Sequence, residues 1–199
     1  MRYKLAPLFN EKKAAQVAAF FLFMASQSKA NVTILKLMKL MYLAERSSYE
    51  QYGEPIIGDA LVSMPNGPVL SGTLDLIDFG SQKNPKGGWD DLIAERSGRD
   101  MALKSVDLIK SEDDLRELSE SDLEILQSIW SQFGKWSAFK LREYTHDPKN
   151  CPEWEDPDGS SIPIRLEKLF EVLGFPNEES KALLSQLNQR AWVVSTLSS

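Results

Sequence analysis

The segment from Ile34 to Leu43 constrains this chain more than any other. Ile34, Leu35, Leu37, Met38, Leu40, Met41, Tyr42 and Leu43 are apolar or aromatic. At about 100° per residue they cover most of a helix circumference. A helix apolar nearly all round cannot lie on a surface, so the rest of the chain must wrap it. Lys36, Lys39 and Arg46 interrupt it, all within a stripe roughly 80° wide. Asn31 or Thr33 offers an N-cap, and Gly53 with Pro55 stops the helix near Tyr52.

The remaining pattern supplies the wrapping. Asn10 caps a first helix running to about Gln27. Its apolar run, Val17 to Ala25, imitates a secretory signal behind Met1-Arg2-Tyr3-Lys4. That run reaches only half of the ~20 residues that span a bilayer, and the cap in front of it points to a buried helix. A short strand over Asp59 to Met64 leads to the turn Pro65-Asn66-Gly67-Pro68, followed by a helix from about Val69 to Phe79. A small hairpin is expected between Trp89 and Val106, around Ser97-Gly98. Ser121-Asp122-Leu123-Glu124 reads as a capping box for a helix that places Leu123, Leu126, Ile129, Trp130 and Phe133 on one face. Ser137 caps another helix, to about Thr145. Four prolines break Asp147 to Pro163, and two helices close the chain, about Pro163–Leu173 and Glu178–Leu197. The expected fold is mainly α (α+β): seven helices around one small hairpin, a single cytosolic domain over residues 1–199.

Several chemistries lack their residues. One cysteine and one histidine exclude an internal disulfide and a closed Cys/His zinc site. No glycine run has phosphate-loop spacing, and no nucleophile elbow occurs. His146 could pair with Cys151 across Pro148, or join Asp147 and Glu153 around a metal. Both are outweighed by a histidine that hydrogen-bonds a neighbouring carbonyl and orders its loop. No cofactor or metal is expected. The net charge is −6, split as +5 over residues 1–50 and −11 beyond. Such a balance suits a basic partner better than nucleic acid.

Two ordered motif clusters stand out. The first is Lys36-Leu37-Met38-Lys39-Leu40-Met41-Tyr42-Leu43-Ala44, then Tyr52-Gly53-Glu54-Pro55-Ile56, then Met64-Pro65-Asn66-Gly67-Pro68-Val69-Leu70-Ser71. The second runs from Leu118-Ser119-Glu120 through Trp130 and Phe133-Gly134 to Tyr144-Thr145-His146 and Pro152-Glu153-Trp154. Together they resemble the Panacea domain, or Soc-type antitoxin-associated, family of bacteria and their phages, over roughly residues 10–175. The resemblance implies an antitoxin that neutralises a growth-inhibiting toxin, encoded by the adjacent gene, through direct binding. Alternatives are a protease adaptor for the bound partner, or a phage-associated enzyme using His146. Some members carry an added DNA-binding module, for which this chain is expected to have no room. Tyr42, Pro55, Gly67, Pro68, Thr145, His146 and Trp154 read as structural members of the motif. Asn66 stands where the family often has an aromatic or histidine. Lys36, Lys39, Glu153, Glu155 and Asp156 are the candidate partner-binding residues, weighed against stems of Lys36 and Lys39 lying along apolar surface, the stronger reading for those two, and against a merely solvated loop for the acids.

Overall fold

A computed structural model describes residues 7–197, so the Met1 to Lys4 part of the signal-like pattern lies outside the described residues. Within them run α1 (Glu11–Gln27), α2 (Ile34–Tyr52), α3 (Ser71–Phe79), α4 (Trp89–Leu92), α5 (Glu120–Phe133), α6 (Ala138–His146), α7 (Leu166–Val172) and α8 (Asn177–Leu197). Five short strands accompany them: β1 (Val32–Thr33), β2 (Leu61–Met64), β3 (Gly67–Leu70), β4 (Asp100–Met101) and β5 (Ile162–Pro163). The fold is mainly α, as the hydrophobic periodicity predicts.

Helix α2 is central. Leu37, Leu40, Met41, Tyr42 and Ala44 are fully buried, and α1, α5, α6 and β3 all pack on it. Thr33 Oγ1 accepts the Lys36 N–H at 3.3 Å, and Gly53 leaves the helix at φ +67°, a left-handed value that a side chain would resist. Asn10 Oδ1 caps α1 through the Lys13 N–H at 3.1 Å. The apolar run of α1 is buried from Val17 to Leu22, and among the described residues no helix is long and apolar enough to cross a membrane. Buried apolar side chains from Ala14 to Leu187 form one cluster.

Two local expectations are corrected. A further hairpin lies at β2–β3, with Leu61 opposite Leu70 and Met64 opposite Gly67. Val69 therefore lies within a strand rather than opening α3. The sheet order is β3-β2-β5, and on an edge strand the missing N–H of Pro68 goes unneeded. The small hairpin expected around Ser97-Gly98 is there: Ser97 and Asp100 exchange both backbone hydrogen bonds at 3.1 Å across a two-residue turn and Ile93 bridges Leu103, while β4 also pairs with β1. The capping box of α5 is Ser119 with Asp122, two residues before the expected one. Asp122 wins because its carboxylate also meets Lys13 Nζ at 2.7 Å. The proline-rich segment is irregular until Ile162–Pro163, which adds the third strand.

Candidate functional site

The polar stripe of α2 turns inward. Lys36 Nζ donates to the Gly134 carbonyl at 2.6 Å, at the end of α5, and Lys39 Nζ to the Pro68 carbonyl at 2.6 Å, in the hairpin. Lys39 has no exposed surface and Lys36 only 7%, so both side chains are withdrawn from solvent. Burial brings the Lys39 ammonium down to about 7, and the nearby Arg142 charge pushes the same way.

One and two turns further along α2, two groups converge on Glu153. Tyr42 Oη donates to Glu153 Oε1 at 2.6 Å and Arg46 Nε to the same oxygen at 2.9 Å. Glu153 is itself buried; it ties the irregular segment to α2 and is likewise withdrawn from solvent. Beside it, Trp154 stacks on His146 with centroids 4.2 Å apart and planes 7° off parallel. The Trp154 indole donates to the Met64 carbonyl at 3.2 Å. Gly67 closes the arrangement at φ +93°, where a Cβ would lie 2.7 Å from Lys39 Nζ and 2.9 Å from Thr145 Oγ1. The motif residues Lys39, Tyr42, Gly67, Pro68, Thr145, His146 and Trp154 thus form one clamp that joins α2, the hairpin, α6 and the acidic segment.

Glu45 and Asp59 are structural carboxylates that the sequence did not mark. Glu45, fully buried, accepts the amides of Ile56, Ile57 and Gly58 at 3.0, 2.8 and 2.8 Å, directly after Pro55, which has no amide to offer. Burial lifts its carboxyl to about 7 against the pull of those amides. Asp59 accepts the Gly72 and Thr73 amides at 2.8 and 2.7 Å and so caps α3. The one available signal was an acid within an otherwise apolar surrounding; the partners lie eleven to fourteen residues away.

The reactive possibilities are poorly placed. Cys151 is buried against Glu153, and burial followed by that negative charge pushes its thiol up to about 12, leaving it a protonated, weak nucleophile. His146 is lowered by burial and then by Arg142 and Lys39, with a hydrogen bond to the Asn66 backbone opposing them. Its Nε2 is buried without a hydrogen-bond partner, as are Arg142 Nε and Glu153 Oε2. Among the described residues, no three His, Cys, Asp or Glu side chains group as metal ligands, His146, Asp147 and Glu153 included. Beyond the clamp, Glu155 and Asp156 face solvent, while the Glu155 N–H is held by Ser63 Oγ at 3.2 Å.

A family profile described as "Antitoxin SocA-like, Panacea domain" matches residues 37–155, more than half of the chain. The chain belongs to this family. The Panacea match opens inside α2 and closes at Glu155, so it contains the whole clamp. It is narrower than the 10–175 read from the motifs, and leaves α1, α7 and α8 outside. Neither the curated proteins nor the solved structures gave a match.

Proposed function

We propose that this Panacea-domain chain is a cytoplasmic antitoxin, acting as one unit over its length, that neutralises a toxin encoded by the adjacent gene through direct binding. The reading needs no cofactor and no catalytic step. The observation that carries it is the division of labour within the family-matched region. Its Lys39, Tyr42, Arg46 and Glu153 are consumed by the clamp, whereas Glu155 and Asp156 stay outside on a backbone the clamp holds still. A pre-ordered acidic edge loses little entropy on binding and complements the basic site of a toxin that handles RNA or nucleotides. The histidine-based enzyme reading is disfavoured by the setting of His146, flat on Trp154 and next to two cations rather than a hydrogen-bonded carboxylate.

Co-expression with the adjacent reading frame is expected to restore growth and to yield a complex on pull-down. Stopped-flow association with that toxin should slow as salt rises, screening charges beyond ~10 Å at 0.1 M. Glu155→Lys combined with Asp156→Lys should slow it by about tenfold while changing dissociation less. Absence of rescue removes the antitoxin reading. Rescue with an association rate indifferent to salt and to charge reversal removes the acidic edge as its docking face.

A further inference from the structure

Helix α6 carries the most exposed aromatic side chain of the family-matched region. Phe139 stands in its first turn at 68% exposure, inside the stretch that the Panacea profile matches. The helix is seated through Leu141 and Thr145, neither of which has exposed surface. At about 100° per residue, Phe139, Glu143 and His146 fall on the opposite face, within about 60° of one another. Phe139 and His146 are about 10 Å apart along the axis. The row does not stop where the helix does. The His146 ring lies flat on Trp154, whose chain runs on into the exposed Glu155 and Asp156, and the Asp156 charge acts on the imidazole. An exposed ring is thereby joined to the acidic edge. The carboxylates of the row, Glu143, Glu155 and Asp156, are exposed, and none belongs to an ion pair among the described residues. Of the neighbouring cations, Lys140 turns its ammonium onto the Trp136 ring, 3.8 Å from the centroid, and Arg142 is partly buried at the edge of the row.

We propose that Phe139 is the apolar anchor of the toxin interface, entering an apolar socket on the toxin whose basic rim meets Glu143, Glu155 and Asp156. This role rests on the antitoxin reading and adds to its acidic edge the residue that holds the complex together. Charge selects the occupant. Carboxylates without counter-ions repel a phosphate backbone, and a second copy, at net −6, would set acid against acid. A basic protein surface is the complement. Charge and ring act at different stages. The carboxylates act across solvent and set how often toxin and antitoxin meet, yet at an exposed rim they add little once the partners touch. An apolar ring does nothing at a distance, and its burial sets how long the contact lasts. The ring also loses little freedom on docking. It has only two side-chain torsions and stands on a helix that Ser137 caps through the Lys140 amide at 3.2 Å.

Association and dissociation rates of the full chain with the toxin from the adjacent gene separate the two stages. Phe139→Ser should speed dissociation about thirtyfold and leave association within about twofold of native. Its circular dichroism spectrum should be unchanged, because the side chain is largely exposed. Phe139→Leu keeps an apolar side chain and should recover most of the lifetime. Val106→Ser, at a residue 77% exposed but outside α6 and the acidic edge, should behave as native. Benzoylphenylalanine placed at position 139 should photo-crosslink to the toxin, and at position 106 should not. A toxin complex of native lifetime in Phe139→Ser overturns the anchor and leaves the antitoxin reading standing, as does a complex that gives no crosslink from position 139. An effect of Phe139→Ser confined to association overturns it too. Failure of the native chain to form any complex removes both the anchor and the antitoxin reading.

Discussion

Helices α2 and α8 depart from the usual polar-out, apolar-in arrangement in opposite directions. The first buries Lys36, Lys39 and Glu45; the second exposes Trp192, Val193 and Leu197. Buried charges are costly unless they are bonded, and each one on α2 has a backbone partner: the carbonyls of Gly134 and Pro68, and the amides of residues 56–58. The polar groups of α2 thus act as internal fasteners for segments without regular hydrogen bonding of their own. On α8, Leu183 and Leu187 hold the helix to the body, while Trp192, Val193 and Leu197 are turned to solvent. The Panacea match follows the same division, beginning inside α2 and ending before α8. One helix organises the shared domain, and the other faces outward.

The sharpest way to break this contrast is to remove a fastener. Glu45→Ala leaves three amides without their acceptor in the interior, and should cost about 3–5 kcal/mol of stability in urea unfolding. A loss under about 1 kcal/mol would mean that α2 does not hold the 56–58 turn. Next in size is a pH effect at Lys39, whose ammonium stands at about 7 against an ordinary 10.5. Between those values the unfolded chain binds more protons than the folded one, so stability rises with pH there, and the cost of burying the charge is fully present below about 7. The slope is at most about 1.4 kcal/mol per pH unit. Lys39→Met should flatten that limb when unfolding of the two proteins is compared from neutral to alkaline pH.

Smaller effects refine the comparison. His146→Ala removes a ring that stacks on Trp154 and hydrogen-bonds the Asn66 backbone, so about 1–2 kcal/mol is expected from thermal unfolding. A cost of several kcal/mol would show that the ring fastens more than the stack and this one bond. The smallest effect should come from Trp192→Ser in dilute solution, within about 0.5 kcal/mol of the native chain. A large loss there would place α8 among the fasteners and erase the contrast.

Much of the frame was readable because its signals are local. Asn10, Thr33, Gly53 and Ser137 end or start helices through contacts within a few residues, and the all-round apolar surface of α2 marks it as central. The hairpin was harder. Pro68 argues against a strand, and only its edge position, fixed by the distant β5 segment, makes it acceptable. The site was legible as a set of motif residues but not as directions. Nothing near Lys39 or Glu153 in sequence tells that they point inward, because their partners Pro68 and Tyr42 are 29 and 111 residues away. For the same reason the +5 charge of residues 1–50 does not tell which of its cations are already engaged. Lys13, Lys36, Lys39 and Arg46 are taken up by Asp122, Gly134, Pro68 and Glu153.

Cys151 lies at 1% exposure within the segment that leads to Glu155 and Asp156, and it is the one cysteine of the chain. A thiol reagent reaches it only while that segment is lifted from α2. Its modification rate in the native chain is therefore the intrinsic thiol rate multiplied by the fraction of time spent open. Comparing that opening with global unfolding separates a segment that detaches by itself from one that leaves only when the whole protein does. The acidic edge carries its own clock, built from a native atom.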